Sequence, residues 1–321
     1  MIYALALGGL ILLLASGDLL VRGAISLAAN LGISPLLMGL IIVGFGTSAP
    51  ELIISIEAAL TGAPGVALGN VVGSNIANVL LVLGAPALIA PIIFDRAGGL
   101  RHALVMLGVS VIFVALAFGG VFGLQQGLLL LALLAGFIWH SIRDHRLEIP
   151  PMLDMLKTDV ALGGIGGRTR SYLIAGAMVA GGLAGLAVGA NLLISGAVAI
   201  ARALNVGEDV IGLSMVAIGT SLPELATTLA AAYRRHADVT LGNVIGSNIF
   251  NVLAVMGVTA TIAPVPVPQR FIDLDLWVML AAAAMLLFFA ATRRPIGRVA
   301  GAAFLLGYTV YMILLYHFGN V

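Results

Sequence analysis

The stretch GTSAPE, Gly46–Glu51, returns as GTSLPE, Gly219–Glu224, each time inside a long apolar run. A proline and a carboxylate are the residue types such a run should exclude. Pro50 has no backbone N–H and its ring crowds the preceding turn, so the carbonyl near Gly46 loses its helical partner, and Pro223 does the same near Gly219. Free carbonyls are tolerated at membrane depth only where they line a cavity or meet a ligand. Helical spacing puts Thr47 (i,i+4) and Ser48 (i,i+3) on the face of Glu51, and Thr220 and Ser221 on the face of Glu224. The motif therefore gathers oxygens, the atoms that hard cations bind.

Adding 173 to a residue number gives its counterpart from about position 17, through Glu51 (Glu224), to Pro91 (Pro264); between 39–84 and 212–257, 25 of 46 positions are identical. The repeat contains a second motif, GNVVGSNIAN (69–78) and GNVIGSNIFN (242–251). It sets Asn70, Ser74 and Asn78, and then Asn243, Ser247 and Asn251, along single helical stripes, with glycines that allow close helix approach.

The rest of the composition says where these motifs sit. Of 321 residues, 61% are hydrophobic and 9% charged, against roughly 25% charged in soluble domains. A span needs about 20 apolar residues. Ten are expected, at 2–21, 33–60, 66–90, 102–119, 124–142, 172–194, 206–232, 239–263, 274–292 and 298–318. The first runs into Asp18 and Arg22 without a cleavage pattern and reads as a retained helix. With the N- and C-termini outside, 13 of the 15 basic residues fall on the cytoplasmic side and only Arg202 and Arg270 outside, as the positive-inside bias requires. The expected fold is an all-α integral membrane protein: one five-helix repeat over 1–142, a short cytoplasmic linker over 143–171 and a second repeat over 172–321. An odd number of spans per copy makes the repeats inverted, the pattern that points to a secondary transporter.

Two carboxylates, hydroxyls, amide oxygens and freed carbonyls, with no cysteine and no repeated histidine, suit Ca²⁺, Na⁺ or Mg²⁺ better than softer metals. Calcium takes about 6–8 oxygens in flexible geometry, which a glycine-loosened site favours. Two buried carboxylates are neutralised by one divalent ion, by several monovalent ions or by protons, and such exclusive occupancy is what an antiporter needs.

On these motifs the chain resembles the cation/calcium exchanger superfamily, specifically the prokaryotic sodium/calcium exchangers, over nearly its whole length. The resemblance implies that Thr47, Ser48, Glu51, Ser74 and Asn78 hold the ions jointly with Thr220, Ser221, Glu224, Ser247 and Asn251. It implies a central calcium site made by Glu51, Glu224 and the carbonyls of Thr47 and Thr220, and flanking sodium sites that use backbone oxygens of Gly44 and Ala217. Several members carry an aspartate at the position of Asn251, an acid associated with potassium-dependent exchange; asparagine at both Asn78 and Asn251 resembles the potassium-independent members. In members with a large intracellular loop the linker position carries calcium regulation, for which 143–171 is too short.

The expected function is Na⁺/Ca²⁺ antiport across the plasma (cell inner) membrane, with spans 1 and 6 sliding past a core of spans 2, 3, 7 and 8. The partners are the transported ions and the bilayer, with no cofactor, nucleic acid or obligatory protein partner. H⁺/Ca²⁺ exchange at the same acids is the alternative, and the serine-rich shell favours sodium because protons need no coordination sphere. An intramembrane enzyme would need a nucleophile with its base or an H-E-x-x-H pattern, absent from the spans. A passive channel would not need two opposed copies. Elsewhere, Asp18 and Arg22 read as a local i,i+4 ion pair, Glu57 lacks an acidic counterpart, and the five histidines read as interfacial.

Overall fold

The computed structural model describes residues 2–94, 97–145, 168–204 and 219–318. Ten helices organise them: α1 (Ile2–Leu31), α2 (Pro35–Leu60), α3 (Pro64–Ile89), α4 (Ala97–Ala117), α5 (Leu124–His145), α6 (Arg168–Ala203), α7 (Leu222–Tyr233), α8 (Ala237–Ile262), α9 (Phe271–Thr292) and α10 (Arg298–Phe318). Among the described residues nine are long and apolar enough to span a membrane. The tenth, α7, is the second half of the span expected at 206–232, and 205–218 lie outside the described residues.

α3 and α8 are buried along most of their length, whereas α5, α6 and α10 expose most of theirs. The largest apolar cluster forms around that central pair, with Val71, Ile76 and Val79 of α3 beside Val244, Ile249 and Val252 of α8. Lipid tails are as apolar as leucine, so close packing, not water exclusion, holds such helices together. The glycines show it. A Cβ added at Gly44 of α2 would lie 2.9 Å from the Ser247 nitrogen of α8, and one at Gly246 would run into the backbone of Leu40.

α1 and α6 form a second unit, packed side by side. Cβ atoms at Gly9, Gly182 and Gly189 would each meet the partner's backbone within 2.9 Å. With 30 and 36 residues these helices measure about 45 and 54 Å. They exceed a hydrocarbon core of about 30 Å and overrun the expected 2–21 and 172–194. The expected linker is also shorter than its 143–171 bounds, because α5 continues to His145 and α6 starts at Arg168. Residues 146–167 lie outside the described residues.

The fold departs from pure helix in a two-stranded antiparallel pair, β1 (Val121–Phe122) with β2 (Val265–Pro266), which satisfies backbone groups in two connections on one side of the molecule. On the opposite side Ile92 bridges Ile296. The offset of 173 carries Ile92 onto Val265, so the inverted repeat extends to these staples.

Candidate ion-binding site

α2 breaks where Pro50 demands it: Ser48 leaves helical geometry at φ −85°, ψ 4°, and a new helix begins at Ala49. Ser221 adopts φ −85°, ψ 3° in front of α7, so the two motifs fold identically. Each break aims a carboxylate inward, and Glu51 and Glu224 are both fully buried. A second irregularity repeats as well. π-helical turns begin at Asn78 in α3 and at Asn251 in α8, a distortion frequent at functional sites.

Inversion makes the two copies meet head-on, and their polar contacts run across the copies. Thr47 Oγ1 lies 3.4 Å from Ser247 Oγ, and its symmetry counterpart, Thr220 Oγ1, lies 3.2 Å from Ser74 Oγ. Thr47 also donates to Asn243 Oδ1 at 3.2 Å. Ser48 and Ser247 both donate to Glu224 Oε1, at 3.4 Å each, so Ser48 serves the acid of the other copy rather than Glu51 on its own helix. The Gly44 carbonyl faces the same cluster, receiving Ser247 Oγ at 3.3 Å. Asn70 Nδ2 donates to the Glu51 carbonyl and to Ser55 Oγ, and Asn243 Nδ2 reaches the Glu224 carbonyl at 3.5 Å. These two asparagines fasten the backbone of the breaks.

All the sequence-nominated residues within the described chain are buried: Gly44, Thr47, Ser48, Glu51, Ser74, Asn78, Thr220, Ser221, Glu224, Ser247 and Asn251. Ala217 lies outside the described residues. Six of their oxygens have no hydrogen-bond partner: Glu51 Oε1 and Oε2, Glu224 Oε2, Ser221 Oγ, Asn78 Oδ1 and Asn251 Oδ1. Buried polar atoms are normally satisfied, and an uncompensated buried carboxylate costs several kcal/mol. Positive charge taken up among these oxygens would remove both penalties. No three His, Cys, Asp or Glu converge among the described residues, so the donor set is one of two acids with neutral oxygens, suited to hard cations.

A cavity of about 360 Å³ reaches this cluster from one side, lined by Pro50, Ile53 and Ile54 of α2, Ala190, Asn191 and Ile194 of α6, and Thr220 and Pro223 at the second break. On the opposite side the counterparts are closed. A Cβ on Gly17 of α1 would lie 2.9 Å from the Ala226 carbonyl of α7, where the equivalent pair, Ala190 and Ile53, borders the cavity. Among the described residues the cavity thus opens towards Leu60 and Leu204, whereas the side of Leu31 and Tyr233 is packed shut.

Three features escaped sequence reasoning. Asn75 and Asn248 join the amide cluster, a role their repetition in both motifs signalled. Asp18 pairs with Arg22 at 3.3 Å as expected, but also with Arg234 of the other copy, which nothing local to Asp18 announces. His102 is buried at 5% exposure instead of interfacial, whereas His140 sits at the surface, 2.8 Å from Arg101. Glu57 is exposed, away from the cluster.

Known proteins place this geometry. The sodium/calcium exchanger protein family model matches residues 1–143 and 174–317. Similar proteins include the putative antiporter CaxA of Alkalimonas amylolytica, 38% identical over 96% of both chains. Another is the sodium/calcium exchanger MaX1 of Methanosarcina acetivorans, 32% identical over 98% of both chains. Among solved structures, the sodium-calcium exchanger NCX_Mj soaked with Na⁺ and Ca²⁺ superposes with a TM-score of 0.84 at 32% identity, covering 98% of each chain.

Proposed function

The chain belongs to the sodium/calcium exchanger protein family, and from that premise we propose that it exchanges Na⁺ for Ca²⁺ across the plasma membrane by alternating access. The six unpartnered buried oxygens on the nominated residues carry this reading. Glu51 and Glu224, with the carbonyls of Thr47 and Thr220, form the central Ca²⁺ site, and Ser48, Ser74, Asn78, Ser221, Ser247 and Asn251 hold the ions jointly around it. Sodium ions occupy overlapping positions, with the Gly44 carbonyl and its counterpart at Ala217 as flanking ligands. One Ca²⁺ or a set of Na⁺ neutralises the acids but not both at once, which couples the two fluxes.

Hydroxyls arranged in symmetric cross-copy pairs, Thr47 with Ser247 and Thr220 with Ser74, support sodium as the coupling ion, since discharge by protons alone needs no such shell. The distribution of the basic residues supports an orientation with both termini outside, in which the open cavity faces the exterior. The glycine-lined unit of α1 and α6 is the part that slides, and the core of α2, α3, α7 and α8 holds the ions. The two repeats, 1–142 and 172–321, act as one functional unit joined by the linker.

Purified protein in proteoliposomes tests this. Uptake of labelled Ca²⁺ should follow an outward Na⁺ gradient and ignore a pH gradient. Uptake driven by a pH gradient without Na⁺ would make the coupling ion a proton.

A further inference from the structure

Asn75 and Asn248 are equivalent residues, related by the offset of 173, and they do different things. Asn75 turns to its own helix, donating from Nδ2 to the Val71 carbonyl at 3.0 Å, and its Oδ1 has no partner. Asn248 turns across to the other copy. Its Oδ1 accepts from Asn78 Nδ2 at 3.1 Å, while its Nδ2 donates to the Asn75 carbonyl and the Met106 sulfur of α4, at 3.4 and 3.5 Å.

The consequence falls on the residues one turn away. Asn78 is fully buried and pinned through its NH₂ group, which leaves Oδ1 as its open atom. Asn251, its counterpart, is equally buried, and neither Oδ1 nor Nδ2 has a partner. A side-chain amide offers a cation its oxygen and repels it with its NH₂ group, so what fixes the amide's rotation decides whether the residue acts as a ligand.

We propose that Asn248 is a positioning residue for the transported cation: by engaging the Asn78 NH₂ group it commits the Asn78 oxygen to the ion, leaving Asn251 as the amide of this pair that is free to turn. This rests on the reading of Asn78 as an ion ligand. It assigns Asn248 no contact with the ion, and its effect passes through Asn78. The bonds to the Asn75 carbonyl and to Met106 hold Asn248 itself, because a positioning group works only if its own orientation is fixed.

The test is Ca²⁺ uptake as a function of Ca²⁺ concentration, in sodium-loaded proteoliposomes, for wild type, Asn78→Ala, Asn248→Leu and the double variant. Asn248→Leu keeps the branched shape and removes the acceptor. Lost outer-shell partners cost 10–100-fold in metal affinity. Half-saturating Ca²⁺ should rise about tenfold with little change in maximal rate, and the double variant should be no worse than Asn78→Ala, since no oxygen is left to aim. An unchanged half-saturation, or effects of the two substitutions that multiply, would overturn the proposal. Should Asn248→Leu not fold, Asn248→Ala removes the same acceptor without adding bulk and should show the same rise in half-saturating Ca²⁺; an unchanged half-saturation there would overturn it equally. Wild-type protein that takes up no Ca²⁺ would defeat the exchange reading itself, a result separable from a working wild type that Asn248→Leu leaves unaltered.

Discussion

At the scale of single residues, the acids and their hydroxyls were legible because a carboxylate beside a proline in an apolar run is too costly to keep unless it binds something, and the chain keeps two in identical context. What sequence could not convey was the partner of each hydroxyl. Ser247 is the clearest case: its Oγ lies 3.4 Å from Glu224 Oε1, 3.4 Å from Thr47 Oγ1 and 3.3 Å from the Gly44 carbonyl, so it bridges both motifs. Hydrogen bonds to charged groups contribute about 1.5–3 kcal/mol, so Ser247→Ala should raise half-saturating Ca²⁺ by roughly tenfold or more. Ca²⁺-concentration dependence of uptake checks it, and a change below about twofold would remove Ser247 from the site. The unequal behaviour of Asn75 and Asn248 was illegible for a different reason. Their local sequences match, and only the conformation the whole chain adopts distinguishes them.

At the scale of elements, ten apolar runs predicted ten helices, and the proline positions predicted the two breaks. The lengths of α1 and α6 were misjudged because the polar residues taken as span ends, Asp18 and Arg22 in α1, lie on a helix that carries on beyond them. Asp18 there binds Arg22 and Arg234, tying α1 to the end of α7. The offset of 173 gives these three the counterparts Asn191, Ser195 and Thr61, none charged, on the side where the cavity opens. The shut side therefore carries an ionic tie that these three counterparts cannot make. Exposed ion pairs of this kind contribute about 0.2–1 kcal/mol each, a few-fold shift in a two-state population. The chain has no cysteine, so single thiols report accessibility cleanly. Ile194→Cys, at the cavity, should react quickly with a membrane-impermeant maleimide and Val21→Cys, its counterpart, slowly. Adding Asp18→Asn should accelerate labelling at Val21→Cys several-fold. Equal rates at the two thiols, or no acceleration, would contradict the closed and open assignments.

At the scale of the whole molecule, an odd number of spans per copy was enough to invert the second repeat, and inversion forces the two breaks to face one another. The cross-copy pairs Thr47 with Ser247 and Thr220 with Ser74 follow from that symmetry. The asymmetry belongs to the state. Glu224 Oε1 receives two hydroxyls while Glu51 receives none, and one side is open while the other is shut. A near-symmetric sequence cannot announce which of two mirrored states it occupies, which is why this part appeared only in the fold. In such a pair of states the ions stay near the centre while access alternates around them. The central claim is that Glu51 and Glu224, 173 residues apart, make one cation site rather than two. Isothermal titration of Ca²⁺ into the purified, sodium-free protein tests it most directly. One Ca²⁺ per chain, displaced by Na⁺ and lost in Glu51→Gln and in Glu224→Gln alike, is the predicted result. Retention of full-affinity binding in either variant would contradict it.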